Sequence, residues 1–251
     1  MFKDLRNKKV IITGGMGFLG KQISKAFFNA KSKVIIIDKN VKKLSKNYDI
    51  YECDITKETE LKNTFIKILK KYKSVDILIN NAANNYGAGV KSTKIRLENF
   101  DEKIWNADLN VGLKGAMLCT KIFGNRMSRQ SKGGNIINIS SDLGLISPDN
   151  RIYDKNSIKP VTYSVVKHGI IGLTKYTATY WPEKVRCNAL AFGGMENKQG
   201  KKFINKLKKL IPLNRMAKKN EYNGTMLFLA SKESSYINGS TIVVDGGRTI
   251  L

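Results

Sequence analysis

Short runs of β-branched residues alternate with stretches of helical apolar spacing along the whole chain, and this alternation restricts the fold more than any other feature. Val10-Ile11-Ile12 and Lys33-Val34-Ile35-Ile36-Ile37 are continuous apolar runs of the kind expected for strands buried on both faces of a parallel sheet. Between them, Leu19, Ile23, Ala26 and Phe27 fall on one helical face. The same pattern predicts strands near Ile50 to Cys53, Val75 to Asn80, Asn135 to Ile139, Val185 to Leu190 and Thr241 to Val244. It predicts helices near Glu58 to Lys71, Glu102 to Asn125, Val161 to Tyr180, Gly200 to Leu210 and Glu221 to Leu229. Seven strands alternating with helices imply an α/β fold, a doubly wound seven-stranded parallel sheet of the Rossmann type with right-handed crossovers. No linker, repeat or low-complexity tract divides residues 1–251, so a single domain is expected.

Composition narrows the function classes. The chain carries 45 Lys and Arg against 20 Asp and Glu, a formal charge of +25. Only 8 of the basic residues are Arg, and they are dispersed with the lysines along the chain, without an arginine-rich stripe or a repeated aromatic platform. General compositional bias accounts for the excess better than a nucleic-acid partner does, and attraction of an acidic small molecule is the stronger functional reading. Cys53, Cys119 and Cys187 are odd in number and lack Cys-x-x-Cys spacing, which argues against a disulfide framework and a zinc site. No uncharged apolar run is long enough to span a bilayer and Met1 to Leu5 lacks a signal-peptide core, so a cytoplasmic protein without membrane contact is expected.

The first predicted strand ends in Thr13-Gly14-Gly15-Met16-Gly17-Phe18-Leu19-Gly20 and passes directly into a helix. Glycines at 14, 17 and 20 permit a tight turn, and the backbone N–H groups around Gly14, Gly17, Phe18 and Leu19 then meet a pyrophosphate at the helix N-terminus. A plain turn is the alternative; the strand before and the helix after favour dinucleotide binding. Asp38 ends the second strand, where a carboxylate accepts hydrogen bonds from the adenosine ribose and repels a 2′-phosphate, favouring NAD over NADP. The adjacent Lys39 weakens that preference, and a solvated turn acid is the bland reading of Asp38.

Tyr163 and Lys167 are four residues apart on a predicted helix and share a face. An ammonium beneath the phenol would lower its pKa from about 10 toward neutrality. Tyr163 could then exchange a proton with an alcohol or carbonyl, and Ser141, after a strand, would hydrogen-bond the same oxygen. From the spacing alone, a surface helix pair is the preferred reading.

Thr13 to Gly20, Cys53-Asp54-Ile55, Asn80-Asn81-Ala82-Ala83, Ser141, Tyr163-Ser164-Val165-Val166-Lys167 and Val244-Asp245-Gly246-Gly247, in this order, resemble the short-chain dehydrogenase/reductase family over essentially the whole chain. The resemblance implies Ser141, Tyr163 and Lys167 as catalytic residues. It further implies that Asp54 and Ile55 meet the adenine, that Asn81 and Ala82 line the adenosine side, that Lys167 grips the nicotinamide ribose and that Gly193 passes the carboxamide. Family members commonly form homodimers or homotetramers through the helices before and containing Tyr163, and Arg248 to Leu251 could join such a contact.

The chain departs from the family pattern in several places. Its glycine spacing is that of longer members. Gly112, not Asn110, aligns with the Asn that usually completes the proton relay. Phe192 stands where a Pro precedes Gly193, and Asn197 where a Thr contacts the cofactor amide. Ser141 and Tyr163 are 22 residues apart, leaving an extra segment from Arg151 to Pro160 beside the catalytic pair. Arg151, Lys155 and Lys159, with the lysines of Lys198 to Lys209 in the region of a substrate lid, would surround the pocket with positive charge. His168 is read as packing or surface, and Trp105 and Trp181 as core or interface. The expected activity is NAD(H)-dependent hydride transfer to or from a secondary alcohol or ketone, on an anionic or nucleotide-linked sugar. Asp108 to Thr120, Pro160 to Gly172 and Arg215 to Leu229 resemble oxidoreductases of bacterial surface-sugar and flagellin modification. The alternatives are a 3-oxoacyl-(acyl-carrier-protein) reductase and a non-catalytic dinucleotide-sensing module.

Overall fold

A computed structural model of the chain describes residues 2–41, 46–84, 86, 90–154 and 157–251. Lys155, expected at the substrate mouth, lies outside the described residues. The apolar runs form β1 (Lys9–Thr13), β2 (Lys33–Asp38), β3 (Asp49–Glu52) and β4 (Ile77–Asn80). A short strand β5 (Val90–Lys91) pairs antiparallel with β7 (Ser157–Ile158), outside the main sheet. The main sheet is completed by β6 (Gly134–Ser141), β8 (Val185–Phe192) and β9 (Thr241–Val244). Its order is β3-β2-β1-β4-β6-β8-β9, and the pairings are parallel throughout.

Alternate residues of each strand feed two separate cores, as the period-2 geometry requires. Ile11, Ile35, Ile37 and Leu78 face one core with α2 (Glu58–Tyr72). Val10, Ile12, Val34, Ile36 and Ile79 face the other with α1 (Phe18–Asn29) and α8 (Asn223–Ala230). Because helices cover both faces, the strands read as unbroken apolar runs instead of alternating ones.

The expected helix from Glu102 runs on to Ser128, but it is not uniform. α3 (Glu102–Leu109), α4 (Ala116–Cys119) and α5 (Asn125–Ser128) are joined by π-helical stretches at Asn110–Gly115 and Thr120–Gly124. Glycines in these stretches admit close neighbours: a Cβ on Gly112 would lie 2.4 Å from Val166 Cγ1, and one on Gly124 would lie 2.5 Å from Trp181 Cζ3. The wider turns bring this run against α6 (Val161–Tyr180), which carries Tyr163 and Lys167. Among the described residues no helix is long and apolar enough to cross a membrane.

The chain passes from β1 outward to β2 and β3, then returns to β4 on the other side of β1, so the strand order reverses between β1 and β4. Loops following the carboxyl ends of these strands border a crevice there. Behind it a fully buried polar group crosses the sheet. Asn80 Nδ2 donates to Asn138 Oδ1 (2.8 Å) and Thr120 Oγ1 (3.1 Å), while Asn138 Nδ2 donates to Thr174 Oγ1 (2.9 Å). Asn138→Ala leaves donors and acceptors on both sides without partners. Urea denaturation is expected to show a loss of about 1–3 kcal/mol, and an unchanged midpoint would contradict the network's role.

Candidate active site

The turn after β1 is built so that only glycine fits at its key points. Gly14 has φ of +64°, and a Cβ there would lie 2.9 Å from Ala82 Cα. At Gly20 a Cβ would lie 2.2 Å from the Gly14 carbonyl oxygen. The turn therefore folds flat against the first residues of α1, whose N-cap Gly17 offers no side-chain cap to the helix N–H groups. Gly14, Gly17, Phe18, Leu19, Asp38, Asp54, Ile55, Asn81, Ala82 and Gly193 all border one cleft of about 1110 Å³ that also contains Ser141, Tyr163 and Lys167. The residues expected to hold the dinucleotide and the three expected to act in catalysis thus border one cavity.

Their individual contacts refine the expected roles. Asn81 directs its side-chain amide at the Thr13 carbonyl (2.9 Å) and the Gly14 carbonyl (3.1 Å), so it braces the glycine turn. Asn81 and Ala82 N–H groups both donate to Thr13 Oγ1. Asp38 accepts from the N–H groups of Met16 (2.9 Å) and Asn40 (3.0 Å), which fixes its carboxylate at the end of β2. Lys39, which weakened the preference for NAD, is drawn away to Asp54 at 3.0 Å. Burial works to raise the Asp54 pKa, but hydrogen bonds from Thr56 and Lys39 outweigh it and hold the carboxyl at about 2.

The catalytic trio converges from β6 and α6. Lys167 Nζ donates to the Ile139 carbonyl (2.8 Å) and lies 5.7 Å from the centre of the Tyr163 ring. Ser141 hydrogen-bonds the phenol, which favours its ionised form, but burial dominates and the nearby Asp142 carboxylate adds to it, pushing the Tyr163 pKa up to about 12. Burial, with repulsion from Lys159, pulls Lys167 down to about 8. In the protein alone the phenol is thus held protonated, in the direction opposite to the expected acidification.

Three side chains near the trio were not singled out by sequence as catalytic. Asp142 is buried and pairs with Arg248 at 2.5 Å, while also accepting from the Ser141 hydroxyl (2.7 Å) and the Leu143 N–H (2.8 Å). Arg248, expected at a subunit contact, instead turns inward. Asp108 accepts from Thr162, Tyr86 and Asn84, tying α3 to the first turn of α6. Together with Tyr163 and Lys167, Asp108 lines a second small cavity of about 10 Å³, room for one water. Asn110 is exposed, and Gly112 is pressed against Val166, so neither reaches the catalytic trio with a side chain.

The third side chain is Lys159, 7% exposed, with Nζ 3.9 Å from the Tyr163 ring centre. Of the other cations expected around the mouth, Arg151 forks onto Asp149 (2.9 and 2.8 Å) and Lys202 lies 3.8 Å from Asp154, while Lys198 is exposed at the border of the cleft. The lid helix α7 (Lys201–Leu207) packs Leu207 with Ile152 and Tyr153 of the extra segment. Phe192 stacks on Tyr222 at 4.1 Å, and the Tyr222 hydroxyl donates to the Gly193 carbonyl at 2.7 Å, so the aromatic replacement stiffens the end of β8. Asn197 borders the cleft, while His168 is exposed and its Nδ1 lies 2.9 Å from the Ser164 carbonyl.

Residues 18–249 match a family described as Enoyl-(Acyl carrier protein) reductase. The 3-oxoacyl-(acyl-carrier-protein) reductase FabG of Thermotoga maritima is 31% identical over 98% of this chain and 99% of its own. A crystal structure of a short chain dehydrogenase from Leptospira borgpetersenii with bound NAD+ shares 31% identity over 99% of this chain and 96% of that one, with a TM-score of 0.88. The chain belongs to the short-chain dehydrogenase/reductase family. It is an NAD(P)-dependent oxidoreductase. The post-translational flagellin modification protein A of Campylobacter coli is also similar, at 30% identity over 97% of this chain and 98% of its own.

The residues present fit the dinucleotide that this family implies: the glycine cradle leaves no room for a Cβ at Gly14 or Gly20, and an anchored carboxylate stands at the end of β2. In this dehydrogenase/reductase the floor beneath Ser141 depends on the Asp142–Arg248 pair. Arg248→Met leaves a buried carboxylate without its cation. Chemical denaturation is expected to show a loss of about 3–5 kcal/mol, and a loss below about 1 kcal/mol would contradict the assignment.

Proposed function

We propose that the protein is an NAD(H)-dependent oxidoreductase that moves a hydride between nicotinamide and a secondary alcohol or its ketone, on an anionic or nucleotide-linked sugar. The observation that carries this reading is the convergence of Ser141, Tyr163 and Lys167 on one wall of the cleft that the glycine turn also borders. The bound dinucleotide supplies or receives the hydride. In the reducing direction the protonated Tyr163 phenol donates its proton to the oxygen that gains charge as the carbonyl carbon accepts the hydride. The Ser141 hydroxyl orients the same oxygen, and Lys167, anchored by one N–H to Ile139, has further donors for the ribose. Asp38 at the adenosine end and the withdrawal of Lys39 to Asp54 favour NAD over NADP.

The similarity to a flagellin modification protein supports a sugar substrate and a role in surface-glycan synthesis in the cytoplasm. Tyr176 and Tyr180, exposed on α6 and stacked at 5.7 Å, support assembly into a homodimer or homotetramer through this helix. A second reading, reduction of a 3-oxoacyl thioester on acyl carrier protein, is favoured by the similarity to FabG and by a basic surface that suits an acidic carrier.

Sugar nucleotides, sugar acids, sugar phosphates and an acetoacetyl thioester offered with NAD or NADP, followed by cofactor absorbance, separate these readings. Turnover of a sugar with NAD is expected; turnover of the thioester alone would move the assignment to the second reading. Tyr163→Phe is expected to lower kcat about 10²- to 10⁴-fold while NADH affinity stays within a few-fold. Full activity of that variant would refute the proton-transfer role, and dinucleotide binding with no turnover of any substrate would favour a sensing module.

A further inference from the structure

The register of the sheet distinguishes the two ends of the cleft. Ser141, the last residue of β6, pairs with Phe192, the last of β8, so the segment leaving β8 begins beside the catalytic serine. The glycine turn and Asp38 follow β1 and β2, on the other side of β4. A dinucleotide with its adenosine at Asp38 therefore directs its nicotinamide toward residues 193–199, most of which border the cleft. Both polar groups of Gly193 are engaged by protein: its N–H donates to the Val244 carbonyl (3.0 Å), and its carbonyl accepts from the Tyr222 hydroxyl (2.7 Å). The Gly194 carbonyl accepts from the Ala217 N–H and the Glu196 N–H donates to the Ala217 carbonyl, both at 3.0 Å.

Two further backbone groups of this segment are held by a side chain instead. The Met195 carbonyl accepts from Gln199 Nε2 (2.9 Å), and the Asn197 N–H donates to Gln199 Oε1 (2.6 Å). One primary amide thus bridges a backbone acceptor and a backbone donor, and only one orientation of that amide serves both. The turn it closes holds Lys198 at a φ of +61°, a left-handed conformation unfavourable for a residue with a Cβ. Met195, Asn197 and the half-buried Gln199 all border the cleft. A nicotinamide ring carries a primary carboxamide with the same acceptor and donors as a glutamine side chain. We propose that Gln199 occupies the carboxamide subsite of the cleft, its side-chain amide standing in for that of the cofactor, and that the nicotinamide carboxamide displaces it from Met195 and Asn197 on binding. This rests on the reading of the cleft as a dinucleotide site, and it makes Gln199 a residue that sets affinity for the nicotinamide half alone.

Displacement exchanges two bonds within the chain for two bonds to the ligand, so the carboxamide adds little to affinity in the natural protein. The apparent dissociation constant is scaled by the fraction of molecules in which the turn is open. Gln199→Met keeps the length of the side chain and removes its amide, leaving the Met195 carbonyl and the Asn197 N–H to the ligand. Calorimetric titrations with NADH and with ADP-ribose, which has the adenosine, pyrophosphate and second ribose but no nicotinamide, are compared for the natural chain and this variant. NADH affinity is expected to rise about 5- to 30-fold in the variant, while ADP-ribose affinity stays within about 2-fold. In the natural protein the side-chain amide signal of Gln199, assigned by triple-resonance NMR, is expected to shift on saturation with NADH and to hold its position with ADP-ribose.

NADH affinity that falls in the variant would overturn the proposal, because it would show Gln199 shaping the turn for the cofactor instead of competing with it. Unchanged NADH affinity, an equal change for both ligands, or an amide signal that NADH leaves in place would do the same. Loss of ADP-ribose binding would mark a misfolded variant, and the amide signal of the natural protein then decides. A natural protein that binds neither ligand would remove the dinucleotide reading itself. Binding of both ligands without the selective gain in the variant would leave that reading standing and remove only this inference.

Discussion

The clasp between the end of β6 and the second turn of α6 holds the candidate catalytic groups in place. Lys167 donates through Nζ to the Ile139 carbonyl, and its own carbonyl accepts from Ser140 Oγ, both at 2.8 Å. Gly144 lets the following loop close over this point, since a Cβ there would lie 2.5 Å from Ser140 Oγ and 2.8 Å from the Lys167 oxygen. With these bonds made, Ser141 at the strand end and Tyr163 one helical turn before Lys167 have little freedom in their separation. The same β6 strand pairs with β4 and β8, so the clasp ties the chemistry to the centre of the sheet and through it to the glycine turn after β1.

Much of this was legible in the sequence because it is local or periodic. The β-branched runs gave the seven strands in their order, and Gly14 to Gly20, lying between a strand and a helix, gave the cradle. The grouping of Tyr163 and Lys167 follows from helical spacing. Contacts between distant residues of ordinary type were not legible. Asp142 and Arg248 are 106 positions apart, and an arginine close to the C-terminus carries no local sign that it will turn inward. The π-helical turns of the Glu102–Ser128 run were also hidden, although Gly112 and Gly124 within it hinted at close packing. The direction in which the Tyr163 phenol shifts was not legible either, because spacing does not encode how far a side chain loses water.

Charge shows the same division. A formal +25 says little about the cleft, because most of the lysines are exposed, Arg151 meets Asp149 of its own loop and Lys202 of α7 meets Asp154 of the extra segment. What distinguishes the site is where a few charges lose solvent. Lys159, Lys167, Arg248 and Asp142 are each at most 7% exposed, and burial, with the Asp142 carboxylate, keeps the Tyr163 phenol protonated. Lys159 was visible in sequence as one of several mouth cations; only the fold separates it from Arg151.

The central claim is spatial, and a crystal structure of the protein grown with NAD tests it most directly. The account predicts that the pyrophosphate lies along Gly14 to Leu19, that the adenosine ribose contacts Asp38, and that the nicotinamide ring leaves space for a substrate carbon within about 3.5 Å of both its reactive edge and the Tyr163 hydroxyl. A dinucleotide bound elsewhere, or a nicotinamide ring turned away from Tyr163 with protein filling the space between, would contradict it.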